Sequence, residues 1–201
     1  MKTVAFDLGN VLVFFSYKKM VAQLAACTAL KPEQIQELLI HRQLRDKYES
    51  GLLTNDELYS EFIQIAPKKA SKSEFFHAAS DIFTPNHEIA PIVQSLKKQG
   101  IRLILLSNTS SAHIDFLNPR TPILDLFDAK IFSFEVKASK PSPKIFQAAI
   151  QAAQCEPLEC FYTDDIPEYV AAGRAEGLDA ELFTDVDTLR SQLSARQNPF
   201  L

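Results

Sequence analysis

From residue 88 onward, helical and strand patterns alternate without interruption, and this alternation restricts the chain more than any other feature of its sequence. Residues 88–99 place Ile89, Ile92, Val93 and Leu96 on one helical face, and Gly100 closes it. Residues 101–106 then read as a short apolar strand. Further strands are expected at 129–134, 159–163 and 178–183, separated or followed by helices at 110–117, 123–127, 141–153, 168–176 and 185–196. Strands that alternate with helices imply a parallel sheet covered on both faces.

Residues 3–6 read as one more strand of the same sheet. Between 17 and 83 the pattern is helical, with no convincing strand. Pro32 suits the first turn of a helix, Thr54 and Glu57 form a capping-box pattern, and Ser71 or Ser73 can open a further helix. The expected architecture is α/β, with a core built from residues 1–15 and 84–201 and a helical insertion at 16–83. The insertion should lie as a cap over the carboxyl end of the first strand.

Composition narrows the function classes. A formal net charge of −4 gives no global attraction to nucleic acid or an anionic membrane. No apolar run approaches the length of a membrane span. Cys27, Cys155 and Cys160 are isolated and odd in number, which suits a reducing compartment and small buried side chains rather than a disulfide framework. Met1-Lys2-Thr3 leads straight into a strand with no signal-peptide pattern. A cytoplasmic protein is expected.

The chemistry starts at Asp7, which follows the apolar residues Val4, Ala5 and Phe6. Alone, this stretch reads equally as an Asx-turn with Gly9 in a left-handed conformation. Other strand ends shift the balance. Ser107 and Asn108 end the second strand of the sheet, Asp164 and Asp165 end the fourth, and Lys140 precedes a helix. Parallel strands bring these groups to one rim, where ligands of open α/β sheets bind. Adjacent aspartates repel unless a cation intervenes, and hard Mg²⁺ takes carboxylates, carbonyls, waters and substrate phosphate. Asp7 can then attack a phosphoryl group as a carboxylate nucleophile. Ser107, with nearby backbone N–H groups, can hold phosphate oxygens, and Lys140 offsets the negative charge.

Residues 6–12, 106–109, 139–146 and 162–165 resemble, in order, the four motifs of the haloacid dehalogenase-like hydrolase superfamily. Within it the chain is most similar to the small-cap group of glucose-1-phosphatase-type sugar-phosphate phosphatases. The resemblance implies a Rossmann-like three-layer core with a helical cap. It implies Mg²⁺ held by the Asp7 carboxylate, the Gly9 carbonyl and Asp165, with Asp164 orienting Lys140 or reaching the metal through water. Ser107, Asn108 and Lys140 would form the phosphate site, and the partner would be a small phosphorylated metabolite. Monomer and homodimer are equally compatible with the sequence.

Three positions depart from the family pattern. Gly9 stands where most phosphatases of the superfamily carry an aspartate that acts as general acid and base. Tyr169 replaces a frequent asparagine, and Lys137 a common glycine. The glycine is shared with the glucose-1-phosphatase-like group, and His41, Tyr48, Glu49 or His77 of the cap could supply the missing proton. Two other readings accompany the phosphatase. One is a metal-free 2-haloacid dehalogenase, which the paired aspartates disfavour. The other is a non-catalytic phosphometabolite-binding or interaction protein on the same fold.

Overall fold

The computed structural model describes residues 1–196; residues 197–201, placed above in the core, lie outside the described residues. The strands are β1 (Thr3–Phe6), β2 (Val13–Phe15), β3 (Phe83–Pro85), β4 (Arg102–Ser107), β5 (Ala129–Phe132), β6 (Cys160–Asp164) and β7 (Asp179–Leu182). Helices α1 (Tyr17–Thr28), α2 (Pro32–Gln36), α3 (Leu44–Glu49), α4 (Asn55–Ile65) and α5 (Lys72–Ser80) lie between β2 and β3. The core carries α6 (Ala90–Lys98), α7 (Ser111–Leu117), α8 (Ser133–Val136), α9 (Pro143–Ala153), α10 (Pro167–Ala175) and α11 (Val186–Arg196).

Five strands form one sheet in the order β5-β4-β1-β6-β7. Each neighbouring pair is parallel. Successive side chains of a strand face opposite sides. Val4, Phe6, Leu103, Leu105 and Phe161 therefore pack against Ile92, Val93 and Leu96 of α6 and Leu189 and Leu193 of α11. Ala5, Ile104, Leu106 and Tyr162 face Ile145, Phe146 and Ala149 of α9 and Val170 of α10. Both faces are dry, which is why these strands read as continuous apolar runs. The result is the expected three-layer α/β core.

The inserted helices bury their own apolar cluster, including Met20, Leu24, Leu38, Phe62 and Phe75, and Ala112 of α7 joins it. The cap is thus seated on a core helix. Its capping signals are realised: Thr54 and Glu57 exchange backbone bonds at the start of α4, and Ser71 with Glu74 does the same for α5. The helix expected to run on from Pro32 widens into a π turn at Glu37–His41.

Two elements differ from the sequence expectation. β2 and β3 pair antiparallel, with Phe14 opposite Thr84 and Phe15 opposite Phe83. The ladder clasps the two ends of the insertion together. Each strand has three residues, too short to show a period-two pattern. The cysteines also differ: Cys160 is buried, but Cys27 and Cys155 are only partly so, and all three are free thiols. Among the described residues no helix is long and apolar enough to cross a membrane.

Gly173 sets how closely α10 approaches β6. A Cβ there would lie 2.8 Å from Cδ1 of Tyr162 and 3.4 Å from Cε1 of Phe146. Alanine improves a helix interior by about 1 kcal/mol, whereas overpacking costs about 1–3 kcal/mol. The Tyr162 ring cannot swing aside, because its hydroxyl is bonded to Asp164 and its edge packs on Phe146. Gly173→Ala should therefore lower the urea midpoint rather than raise it.

Candidate active site

The sheet register builds the site. Phe6 of β1 lies opposite Leu105 of β4 on one side and Thr163 of β6 on the other. One residue further along the three strands stand Asp7, Leu106 and Asp164. Lys140 Nζ meets all three: Asp7 Oδ1 at 2.7 Å, Leu106 O at 3.1 Å and Asp164 Oδ2 at 2.6 Å. Each ammonium proton thus has an acceptor. Lys140 can act on a phosphate through its charge, with no hydrogen bond left to give in this arrangement.

Asn108 holds the lysine loop in place. Its side chain accepts from Lys140 N at 2.8 Å and donates to Lys140 O at 3.0 Å. Asp164 is held as firmly, since Ile166 N donates to its Oδ1 at 2.9 Å and the Tyr162 hydroxyl donates to its Oδ2. Asn10 Nδ2 donates to Asp165 Oδ2 at 2.9 Å. The left-handed backbone conformation falls at Asn10 (φ 54°) and not at Gly9 as the turn reading supposed. Asparagine tolerates this conformation better than most non-glycine residues. Lys137 is also left-handed, at φ 54°, which explains why a glycine suits that position.

The structure therefore gathers Asp7, Lys140, Asp164 and Asp165, with Gly9 and Asn108 on the same rim. Ser107 ends β4 only 2% exposed, and its hydroxyl lies 3.4 Å from the Asn108 carbonyl oxygen. Asn10, Tyr162 and the cap residues Tyr17 and Arg45 were not singled out by sequence. Their involvement depends on contacts between distant segments.

Electrostatics follow from burial. Asp7 is 7% and Asp164 0% exposed. Burial pushes the Asp7 carboxyl up to about 7, with Lys140 opposing and Asp164 adding to the rise. Burial alone would depress the Lys140 ammonium, but Asp7 and Asp164 together outweigh it and raise it. One carboxylate oxygen from each of Asp7, Asp164 and Asp165 lies within 4.8 Å of the others. Three carboxylates against one lysine leave surplus negative charge on hard oxygen donors. Such a set suits a hard divalent cation.

The cavity in front of these groups measures about 570 Å³. Core residues Asp7, Asn108, Lys140 and Asp165 form its floor, and Tyr17, Arg45, Asp46 and Glu49 reach it from the cap. Tyr169 also lines it, with its ring 5.2 Å from Lys140 Nζ. Of the four cap residues considered as proton donors, Glu49 is the one at the cavity. His41 and His77 are exposed elsewhere, and the Tyr48 hydroxyl is bonded to Asn55.

The family described as haloacid dehalogenase-like hydrolase matches residues 1–177. The chain belongs to the haloacid dehalogenase-like hydrolase family. Protein CbbY of Rhodobacter capsulatus is 30% identical over 93 residues, which is 45% of this chain and 41% of that protein. The D-ribitol-5-phosphate phosphatase of Bacteroides thetaiotaomicron is 22% identical over 185 residues, covering 89% of each chain. A crystal structure of the family enzyme bt-2542 from the same organism, in complex with magnesium and inorganic phosphate, shares the fold. It superposes with a TM-score of 0.78 at 22% identity, covering 94% of this chain and 98% of that one. In this hydrolase, as the family pattern leads one to expect, the acidic groups stand at the carboxyl ends of neighbouring parallel strands.

Lys140→Met would leave Asp7 and Asp164 buried without their shared cation. Breaking a buried ion pair from one side costs about 3–5 kcal/mol. The loss should appear in urea unfolding at pH 8 and shrink at pH 5, where a carboxyl freed from the lysine takes up a proton.

Proposed function

We propose that this protein is a Mg²⁺-dependent phosphatase that hydrolyses a small phosphorylated metabolite, a sugar phosphate among the candidates, through an aspartyl-phosphate on Asp7. The observation that carries the reading is the buried Asp7–Lys140–Asp164 trio, of which Asp7 and Lys140 line the cavity with Asp165 beside them. Mg²⁺ held by the Asp7 carboxylate, the Gly9 carbonyl and Asp165 would neutralise phosphate charge and so favour attack by one anion on another. Lys140 fixes Oδ1 of Asp7 and keeps the carboxylate aimed out of the sheet. Asp164, tied on both oxygens, keeps Lys140 from swinging away. Such preorganisation lets the site meet developing charge without rearranging.

Two comparisons support the reading: a relative of similar length is named for hydrolysis of a pentitol phosphate, and bt-2542 holds magnesium with inorganic phosphate. The cap limits the substrate. A cavity of about 570 Å³ admits a small metabolite. Arg45 on its cap side can pair with an anionic or hydroxyl-rich substrate.

Asp7→Asn tests the proposal. The variant should keep its circular dichroism spectrum and lose Mg²⁺-dependent hydrolysis of p-nitrophenyl phosphate. Turnover that survives with the same metal dependence would overturn it.

A further inference from the structure

Gly9 removes the usual proton donor from the loop after β1, and the structure shows what occupies its place. A Cβ at Gly9 would lie 2.9 Å from Cε1 of Phe15. That ring is held edge-on by Tyr17 at 5.1 Å and by Phe83 at 6.4 Å. The space of the missing side chain is filled by an aromatic ring anchored in the β2–β3 ladder and the cap. A donor for the leaving group must come from another direction.

Two cap carboxyls line the cavity, Asp46 and Glu49. Asp46 is exposed and forked by Arg45, whose Nε and Nη2 reach its Oδ1 at 3.0 and 2.9 Å. Glu49 is partly buried, and no described residue donates a hydrogen bond to its carboxyl. Three successive residues, Glu49 to Gly51, meet the core. The Ser133 hydroxyl bonds to Glu49 O, and Ser50 Oγ meets Ser139 Oγ, beside Lys140, at 2.9 Å. Gly51 (φ 67°) passes so near the Phe134 carbonyl that a Cβ would stand 2.1 Å from its oxygen. The cap thus fixes Glu49 against the loop that carries the catalytic lysine.

We propose that Glu49 is the general acid and base of this site, protonating the leaving-group oxygen and then activating the hydrolytic water. The assignment rests on the phosphatase reading above. In the first step Asp7 forms a bond to phosphorus, the bond from phosphorus to the ester oxygen breaks, and that oxygen takes the electron pair together with the Glu49 proton. In the second step the Glu49 carboxylate takes a proton from water as the water oxygen bonds to phosphorus and the bond from phosphorus to the Asp7 oxygen breaks, its electron pair returning to the Asp7 carboxylate; phosphate leaves and Glu49 is protonated again. Burial pushes the Glu49 carboxyl up to about 7, with Arg45 opposing and Asp46 adding to the rise. A donor matched to neutral pH is the most effective. Tyr17 also faces Glu49 from α1, but burial pushes its phenol up to about 12, and burial raises Tyr169 across the cavity as well. Asp7, Asp165 and Lys140 are the charged groups opposite.

The experiment compares wild type with Glu49→Gln, in Mg²⁺, on p-nitrophenyl phosphate and on a panel of primary alkyl phosphates. An aryl leaving group needs little protonation, whereas an alkoxide needs it badly. General acid help is worth about 10²–10⁴-fold, so the ratio of aryl to alkyl kcat/KM should rise by about 10²-fold or more in the variant. In wild type, alkyl turnover should fall as pH rises through about 7, where the acid form is lost, and the variant should lack that limb. A melting temperature close to that of wild type confirms folding, since no described residue donates a hydrogen bond to the Glu49 carboxyl. Equal losses on both substrate classes, or no loss on either, would overturn the role of Glu49. A wild type with no phosphatase activity on any substrate would instead overturn the phosphatase reading itself and the assignment with it.

Discussion

The Lys140 ammonium, buried between two carboxylates and a strand-end carbonyl, is the contact on which the remaining architecture depends. Bringing one lysine and two aspartates out of water costs several kcal/mol per ion. The arrangement persists because every proton of the ammonium has an acceptor and Asp164 is bonded on both oxygens. Those acceptors come from three neighbouring strands at one level of the sheet. The parallel register is thereby tied to the chemistry: slipping β6 by one residue would turn Asp164 to the opposite face and leave Lys140 unpaired.

The core supplies this register, and its stability supplies the ion cluster. Both faces of β1, β4 and β6 are packed with aliphatic and aromatic side chains, each contributing about 1.5–3 kcal/mol on burial. The cap contributes differently. It has an apolar cluster of its own but meets the core near the site through the Ser133 hydroxyl on Glu49 O, the Ser50–Ser139 hydroxyl pair and the close approach of Gly51 to Phe134. On the proposed function, substrate choice and proton transfer belong to the cap side of the cavity, while the core keeps its charge arrangement.

Much of this was legible in the sequence. Asp7, Asp164 and Asp165 each follow an apolar strand signal, and Lys140 precedes a helix start. These are local patterns, so their convergence followed from a parallel sheet alone. Other features depend on contacts between distant segments, which no local period reveals. The β2–β3 ladder pairs two three-residue strands separated by the whole cap. Phe15 accounts for Gly9 only once Tyr17 and Phe83 are seen to hold its ring. Glu49 stood among four cap candidates, and the clamps at Ser133 and Ser139 separate it from His41, Tyr48 and His77.

In the proposed reaction Asp7 carries the phosphoryl group. Wild-type protein turning over substrate in Mg²⁺ can be quenched in acid, reduced with borohydride and digested, and the peptide containing residue 7 examined by mass spectrometry. An aspartyl-phosphate is reduced to homoserine at that position, and this is the predicted product, dependent on both substrate and Mg²⁺. An unmodified Asp7 under conditions where substrate is consumed and the phosphorylated enzyme should accumulate would contradict the claim.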